Sequence, residues 1–122
     1  MTEIQNSKQY DLEERTLNFA KRVRSFVKKL PKTVANIEDG KQVIRSSGSV
    51  GANYIEANEA LSKKDFLMRV KICRKESKES RYWMQLINTT NSEIELGQER
   101  IDLIKESGEL MSIFGSILRK SE

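Results

Sequence analysis

The chain has 122 residues, 37% of them hydrophobic and 33% charged, which is room for one small core with wide solvated faces. Its net charge is +4, and it contains no histidine, one cysteine (Cys73) and one proline (Pro31). Those absences exclude a histidine-based nucleophile, an imidazole metal site, an internal disulfide and a cysteine-built zinc site, and they suit a reducing cytoplasm.

The opening MTEIQNSKQYDLEERT lacks the apolar run of a signal peptide. No later stretch approaches the ~20 apolar residues of a membrane span, so no membrane partner is expected. A helix start is read at Asp11, with Glu14 three residues on, and residues 1–10 are expected to fray. From there Leu12, Phe19, Val23, Phe26, Val27 and Leu30 form one stripe, which Pro31 ends. A second helix is expected from about Asn36 to Leu61, with Ile37, Gly40, Ile44, Ser47, Gly51, Tyr54 and Leu61 on its seam. Its middle, SSGSVGA, is poor in bulk. Glycine in a helix costs about 1 kcal/mol against alanine, so the close approach of a neighbouring helix is the expected reason.

Ser62, with Asp65 three residues later, reads as a cap for a third helix. Phe66, Val70, Cys73, Ser77, Met84 and Ile87 mark its seam, widened by Trp83 and Leu86. NTTNS, residues 88–92, is a loop. The fourth segment carries Ile94, Ile101, Ile104, Met111, Phe114, Ile117 and Leu118, and starts either at Ser92 or near Gln98. Helices of roughly 25 residues are each near 38 Å long. Short connections then predict an all-α, up-down-up-down antiparallel four-helix bundle as a single domain over residues 11–120.

Charge is segregated along this chain. Residues 62–88 hold eight basic and three acidic side chains, and residues 1–36 hold eight and four. The other two segments are net acidic. In the third helix Lys71, Arg74, Lys75 and Lys78 fall at i, i+3, i+4 and i+7, with Lys64 and Arg81 extending the row and Tyr82 beside it. Lys21, Arg24 and Lys28 form a similar row on the first helix. Rows of this kind neutralise phosphates; the plainer reading is a solvated face that also pairs with the acidic fourth helix.

Other constellations carry less. Glu56 with Glu59 and Glu76 with Glu79 lack the histidine of a di-iron site and read as solvated carboxylates. GSVG at 48–51 has neither the strands of a KH domain nor the Lys-Ser/Thr of a P-loop. Cys73 reads as a small core residue and Trp83 as packing. No catalytic centre, metal site or cofactor is expected.

The stretch Arg45 to Phe66, RSSGSVGANYIEANEALSKKDF, resembles the signature of the 23S rRNA-intervening-sequence protein family, also called four helix bundle protein. Arg45, Ser49, Val50, Ala52, Asn53, Ile55, Glu56, Ser62, Asp65 and Phe66 occupy its places. DLEERTLNFAKRV and LMSIFGSILRK are similar to the family's ends. The usual Glu-Gly is Glu56-Ala57 here, and an aliphatic middle of helix three is replaced by KICRKESKESRYW. The resemblance implies a left-handed bundle assembled as a homopentamer, with no known activity. Through the related accessory variability determinant proteins of retroelements it also implies RNA or DNA and a reverse-transcriptase-like protein as partners. Arg45, Ser49, Asn53, Glu56, Asp65 and Phe66 read as structural or interface-forming, with Glu56 or Asp65 as the carboxylate for Arg45. Self-association is further expected from Leu103, Leu110, Ile113 and Phe114, which widen the apolar arc of the fourth helix.

Overall fold

A computed structural model describes the backbone of residues 2–121 and the side chains of 12–121. It contains four helices: α1 (Thr2–Lys28), α2 (Val34–Asn58), α3 (Lys63–Leu86) and α4 (Ile94–Ser121). Each helix packs on its neighbours around a ring, α1–α2–α3–α4 and back to α1, and the diagonal pairs do not approach through their backbones among the described residues. The architecture is the expected all-α four-helix bundle.

The helix ends follow local chemistry. Asp11 lies inside α1 rather than at its start, because nothing before Pro31 interrupts the helix. The expected fraying of residues 1–10 lies outside the residues described in full. Thr33 caps α2, its hydroxyl accepting from the Asn36 amide at 3.1 Å, so the helix begins two residues before Asn36. It ends at Asn58, leaving Leu61 fully exposed in the connection. Ser62 caps α3 as expected, accepting from the Asp65 amide at 3.1 Å. The start of α4 at Ile94 falls between the two expected positions. Arg100 of α4 closes the other end of α3, donating to the carbonyls of Met84 (3.0 Å) and Gln85 (2.7 Å), where the helix dipole favours a cation.

The stripe expected on α1 is the buried one, with Thr16 added and Val27 at its edge. On α3 Val70, Cys73, Ser77, Met84 and Ile87 are buried, Phe66 and Trp83 pack at the margin, and Leu86 is exposed. The seam of α2 is rotated from the expected one. Asn36, Val43, Ser46, Val50 and Ala57 are buried with Gly40, Ser47 and Tyr54, while Ile37 faces solvent and Ile44 only borders the core. In α4 Leu96, Leu103, Leu110, Phe114 and Leu118 fill the core, and Ile94 and Ile101 are exposed. Of the residues expected to widen the apolar arc of this helix, Leu103, Leu110 and Phe114 are buried in the core and Ile113 packs partly against it. Tyr54 of α2 and Phe114 of α4 meet across the centre, with ring centroids 5.8 Å apart.

The glycine–serine middle of α2 does bring helices close. A Cβ on Gly51 would lie 3.0 Å from the Thr16 hydroxyl and 3.7 Å from the Thr16 backbone of α1. On the α3 side the Ser46 and Ser80 hydroxyls meet at 2.8 Å, fully buried. Small side chains here replace bulk with proximity.

Candidate functional site

Two polar systems and one cationic surface are built on this frame. Along the α2–α3 seam, Arg45, Ser49 and Asn53 are spaced four residues apart and share a face. Arg45 reaches Glu76 at 3.1 Å and Glu79 at 3.4 Å. Asn53 accepts from Arg69 at 3.0 Å and donates to the Ser49 hydroxyl and carbonyl, both at 2.9 Å. The carboxylates serving Arg45 are thus Glu76 and Glu79, in place of Glu56 or Asp65. Glu56 is exposed and unpaired among the described residues, and Asp65 serves the α3 cap through its backbone.

Glu76 is only 8% exposed, which corrects the reading of this pair as solvated carboxylates. Burial opposes its ionisation, but hydrogen bonds from Glu79, Arg45 and Ser49 outweigh burial and hold its carboxyl below the ordinary range. Glu79 is pushed up instead, by sharing a proton with Glu76 and by its own partial burial. The Arg45 guanidinium beside both is held more firmly protonated.

The α1–α4 seam is closed by ion pairs. Arg15 is bidentate to Glu106, both distances 2.8 Å, and also reaches Glu109 at 3.0 Å; Arg22 reaches Glu99 at 2.7 Å. So α1 does pair with the acidic α4, through Arg15 and Arg22 and not through Lys21, Arg24 and Lys28.

The α3 row behaves differently. Lys64, Lys71, Arg74, Lys75, Lys78 and Arg81 are all exposed, and none forms an ion pair among the described residues. Four of them, Lys71, Arg74, Lys75 and Lys78, form one wall of a groove of about 570 Å³ between α3 and α4. The α4 wall is Met111, Ser112, Gly115 and Arg119. No carboxylate lines it. Gly115 is the floor: a Cβ there would lie 3.4 Å from the Arg119 guanidinium and 3.9 Å from the Arg74 Cδ. Arg119, Ser112 and Gly115 were invisible to the charge pattern because α4 is net acidic and only the fold brings them to α3.

The α1 row does not join this surface. Arg24 lies over Gly48 of α2, with 3.2 Å between its Nη2 and a Cβ placed on that glycine. Lys21 and Lys28, three before and four after Arg24, share that α1–α2 flank. The α3 row looks out of the α3–α4 flank, on the far side of the bundle. Leu17, seven residues before Arg24 on α1, and Ile55, seven after Gly48 on α2, fall on the same α1–α2 flank. Both are about half exposed, at 51% and 50%.

Cys73 is buried, its thiol donating to the Val50 carbonyl at 3.4 Å. Among the described residues no three acidic or cysteine side chains come together to hold a metal ion. No helix among them is long and apolar enough to cross a membrane.

Comparison with known proteins gives a family and a structural likeness. A family profile described as 23S rRNA-intervening sequence protein matches residues 8–112. A crystal structure from Bacteroides thetaiotaomicron, described as a protein with unknown function from the S23 ribosomal protein family, is 31% identical. The likeness covers 92% of this chain and 98% of that one, with a TM-score of 0.75. No protein of curated function matches.

Proposed function

The chain belongs to the 23S rRNA-intervening sequence protein family, and from that premise we propose that it is a non-catalytic, self-associating cytoplasmic bundle that binds the backbone of RNA or DNA through its cationic rows. One observation carries the reading. Lys71, Arg74, Lys75 and Lys78 meet Arg119 around a groove that contains no carboxylate, and all five are exposed. Five cations held together without counter-charge repel one another, and a polyanion relieves that repulsion while releasing its own counterions. The row on α1, with Lys21, Arg24 and Lys28, offers a second and separate contact on the opposite flank.

Self-association is supported by Leu17 and Ile55, each about half exposed on the α1–α2 flank that also carries the small residues Gly48 and Ala52 of α2. The homopentamer implied by the resemblance is the assembly proposed, and a reverse-transcriptase-like protein remains the proposed protein partner. The absence of histidine from the whole sequence supports a non-catalytic role.

Filter binding of a labelled nucleic acid over a salt series tests this. Affinity should fall steeply as salt rises, with a log–log slope of about −3 to −4 if four phosphates are neutralised. Replacing Lys71, Arg74, Lys75 and Lys78 by glutamine should weaken binding strongly, leaving only the α1 contact, with helix content unchanged. Affinity indifferent to salt, or a quadruple variant that binds like wild type, overturns the reading. Light scattering at micromolar concentration tests assembly, and a monomer there rejects it.

A further inference from the structure

We propose that the α3–α4 groove is a single-strand site, in which the cations hold the phosphodiester backbone and Tyr82 stacks on an unpaired base; the inference rests on the nucleic-acid reading above. Tyr82 follows Lys78 by four residues and Lys75 by seven, so it stands in the same row, about 6 Å further along the axis. Tyr82 is 54% exposed. Trp83 braces it edge-on, with centroids 5.1 Å apart and planes at 73°, and Trp83 itself packs against the core. The two neighbouring aromatics thus divide the work: one anchors, and the other presents a ring to solvent beside a line of positive charge. An aromatic platform in register with phosphate-binding cations is the arrangement that holds single strands, since every base offers a flat face once it is unpaired. A base inside a duplex has both faces covered and cannot use it.

The groove itself points the same way. Its cations stand on two walls, α3 and α4, with Gly115 as the floor, so they flank a ligand laid along the groove. Ser112, exposed on the α4 wall, adds a hydroxyl donor for a phosphate oxygen. Sequence readout is not required by any of these contacts, because stacking and charge are indifferent to base identity.

The test is fluorescence anisotropy with the full chain, using labelled oligo(dT), oligo(U) and a mixed-sequence duplex of equal length at one salt concentration. Both single strands should bind at least about tenfold more tightly than the duplex. Tyr82→Ala should weaken the single strands about tenfold and leave the duplex unchanged, whereas Tyr82→Phe should retain the wild-type affinity. Ser112→Glu, which places a carboxylate in the groove, should weaken every probe. Equal affinity for duplex and single strands, or a Tyr82→Ala variant that binds oligo(dT) like wild type, overturns the single-strand inference while phosphate binding stands. Loss of all binding in the wild-type chain overturns both. Circular dichroism of each variant separates loss of the site from loss of the fold.

Discussion

The side chain of Asn36 is hydrogen-bonded to the backbone of Asn88 in both directions: Nδ2 donates to the Asn88 carbonyl at 2.9 Å, and the Asn88 amide donates to Oδ1 at 3.0 Å. Nδ2 also reaches the Pro31 carbonyl at 3.1 Å. Asn36 lies in the first turn of α2 and Asn88 follows α3, so one buried amide ties the α1–α2 connection to the α3–α4 connection at the same end of the bundle. Replacing Asn36 by alanine strands three backbone groups and should cost about 2–3 kcal/mol in urea unfolding. Leucine, which fills the space but restores no bond, should cost at least as much.

Two glycines should respond to alanine with opposite signs. At Gly51 the new Cβ meets Thr16 at 3.0 Å, and its helix cannot retreat without disturbing the core, so about 1–3 kcal/mol should be lost. At Gly108 nothing lies within 4 Å of the new atom. There the substitution restores helix propensity and should stabilise by about 1 kcal/mol. Thermal unfolding of the two variants side by side checks both.

The Arg45–Glu76–Glu79 cluster makes a pH prediction in two directions. Glu76 is held below the ordinary carboxyl value of 4.5 in the fold, so its contribution is present above that value and is lost as pH falls through its folded pKa. Glu79 is raised, so its charged form opposes folding at neutral pH, and its effect on stability is favourable only when protonated. Glu76→Gln should therefore destabilise at pH 7 and flatten the acid limb of the stability curve. Glu79→Gln should be neutral or slightly stabilising at pH 7, by no more than about 0.5 kcal/mol given its exposure to solvent. Urea midpoints between pH 3 and pH 7 (roughly the span around the ordinary carboxyl range) distinguish the two.

Cys73 should be chemically silent until the bundle opens. Burial pushes its thiol up to about 12, well above the ordinary 9.0, so almost no thiolate exists at neutral pH. A thiol-specific chromogenic reagent should fail to label native protein at pH 8 (about the value at which an unperturbed thiol begins to react) and should label it promptly in denaturant. The same shift makes the fold lose stability as pH climbs from about 9 toward 12, because the unfolded thiol ionises first.

The α3 seam was legible because Val70, Cys73, Ser77 and Met84 are its apolar or small residues at helical spacing, and its other face is plainly charged. The α2 seam was not. Ile37 and Ile44 lie on one side of the small residues and Val43 and Val50 on the other, so apolar spacing alone favours neither rotation; the close approach of Thr16 and Ser80 decides it. Glu76 was misread for a related reason. A carboxylate three residues from another looks solvated in a sequence, and only the proximity of α2 supplies Arg45. At the candidate site the α3 row declared itself through its i, i+3, i+4, i+7 spacing. Arg119 did not, being one of two adjacent cations at the end of a segment whose net charge is negative.

On the proposed nucleic-acid reading, the placement of the two cationic rows on opposite flanks would give each copy a valency of two. No straight polyanion can lie along Lys71–Lys78 and reach Arg24 at the same time, since the bundle's core stands between them. A strand bound to one row would therefore leave the other flank unspent and available to a second strand or to a distant loop of the same one. Such a molecule would act as a cross-bridge, and what it made of a long nucleic acid would depend on stoichiometry: scarce copies would link segments, and excess copies would coat them singly.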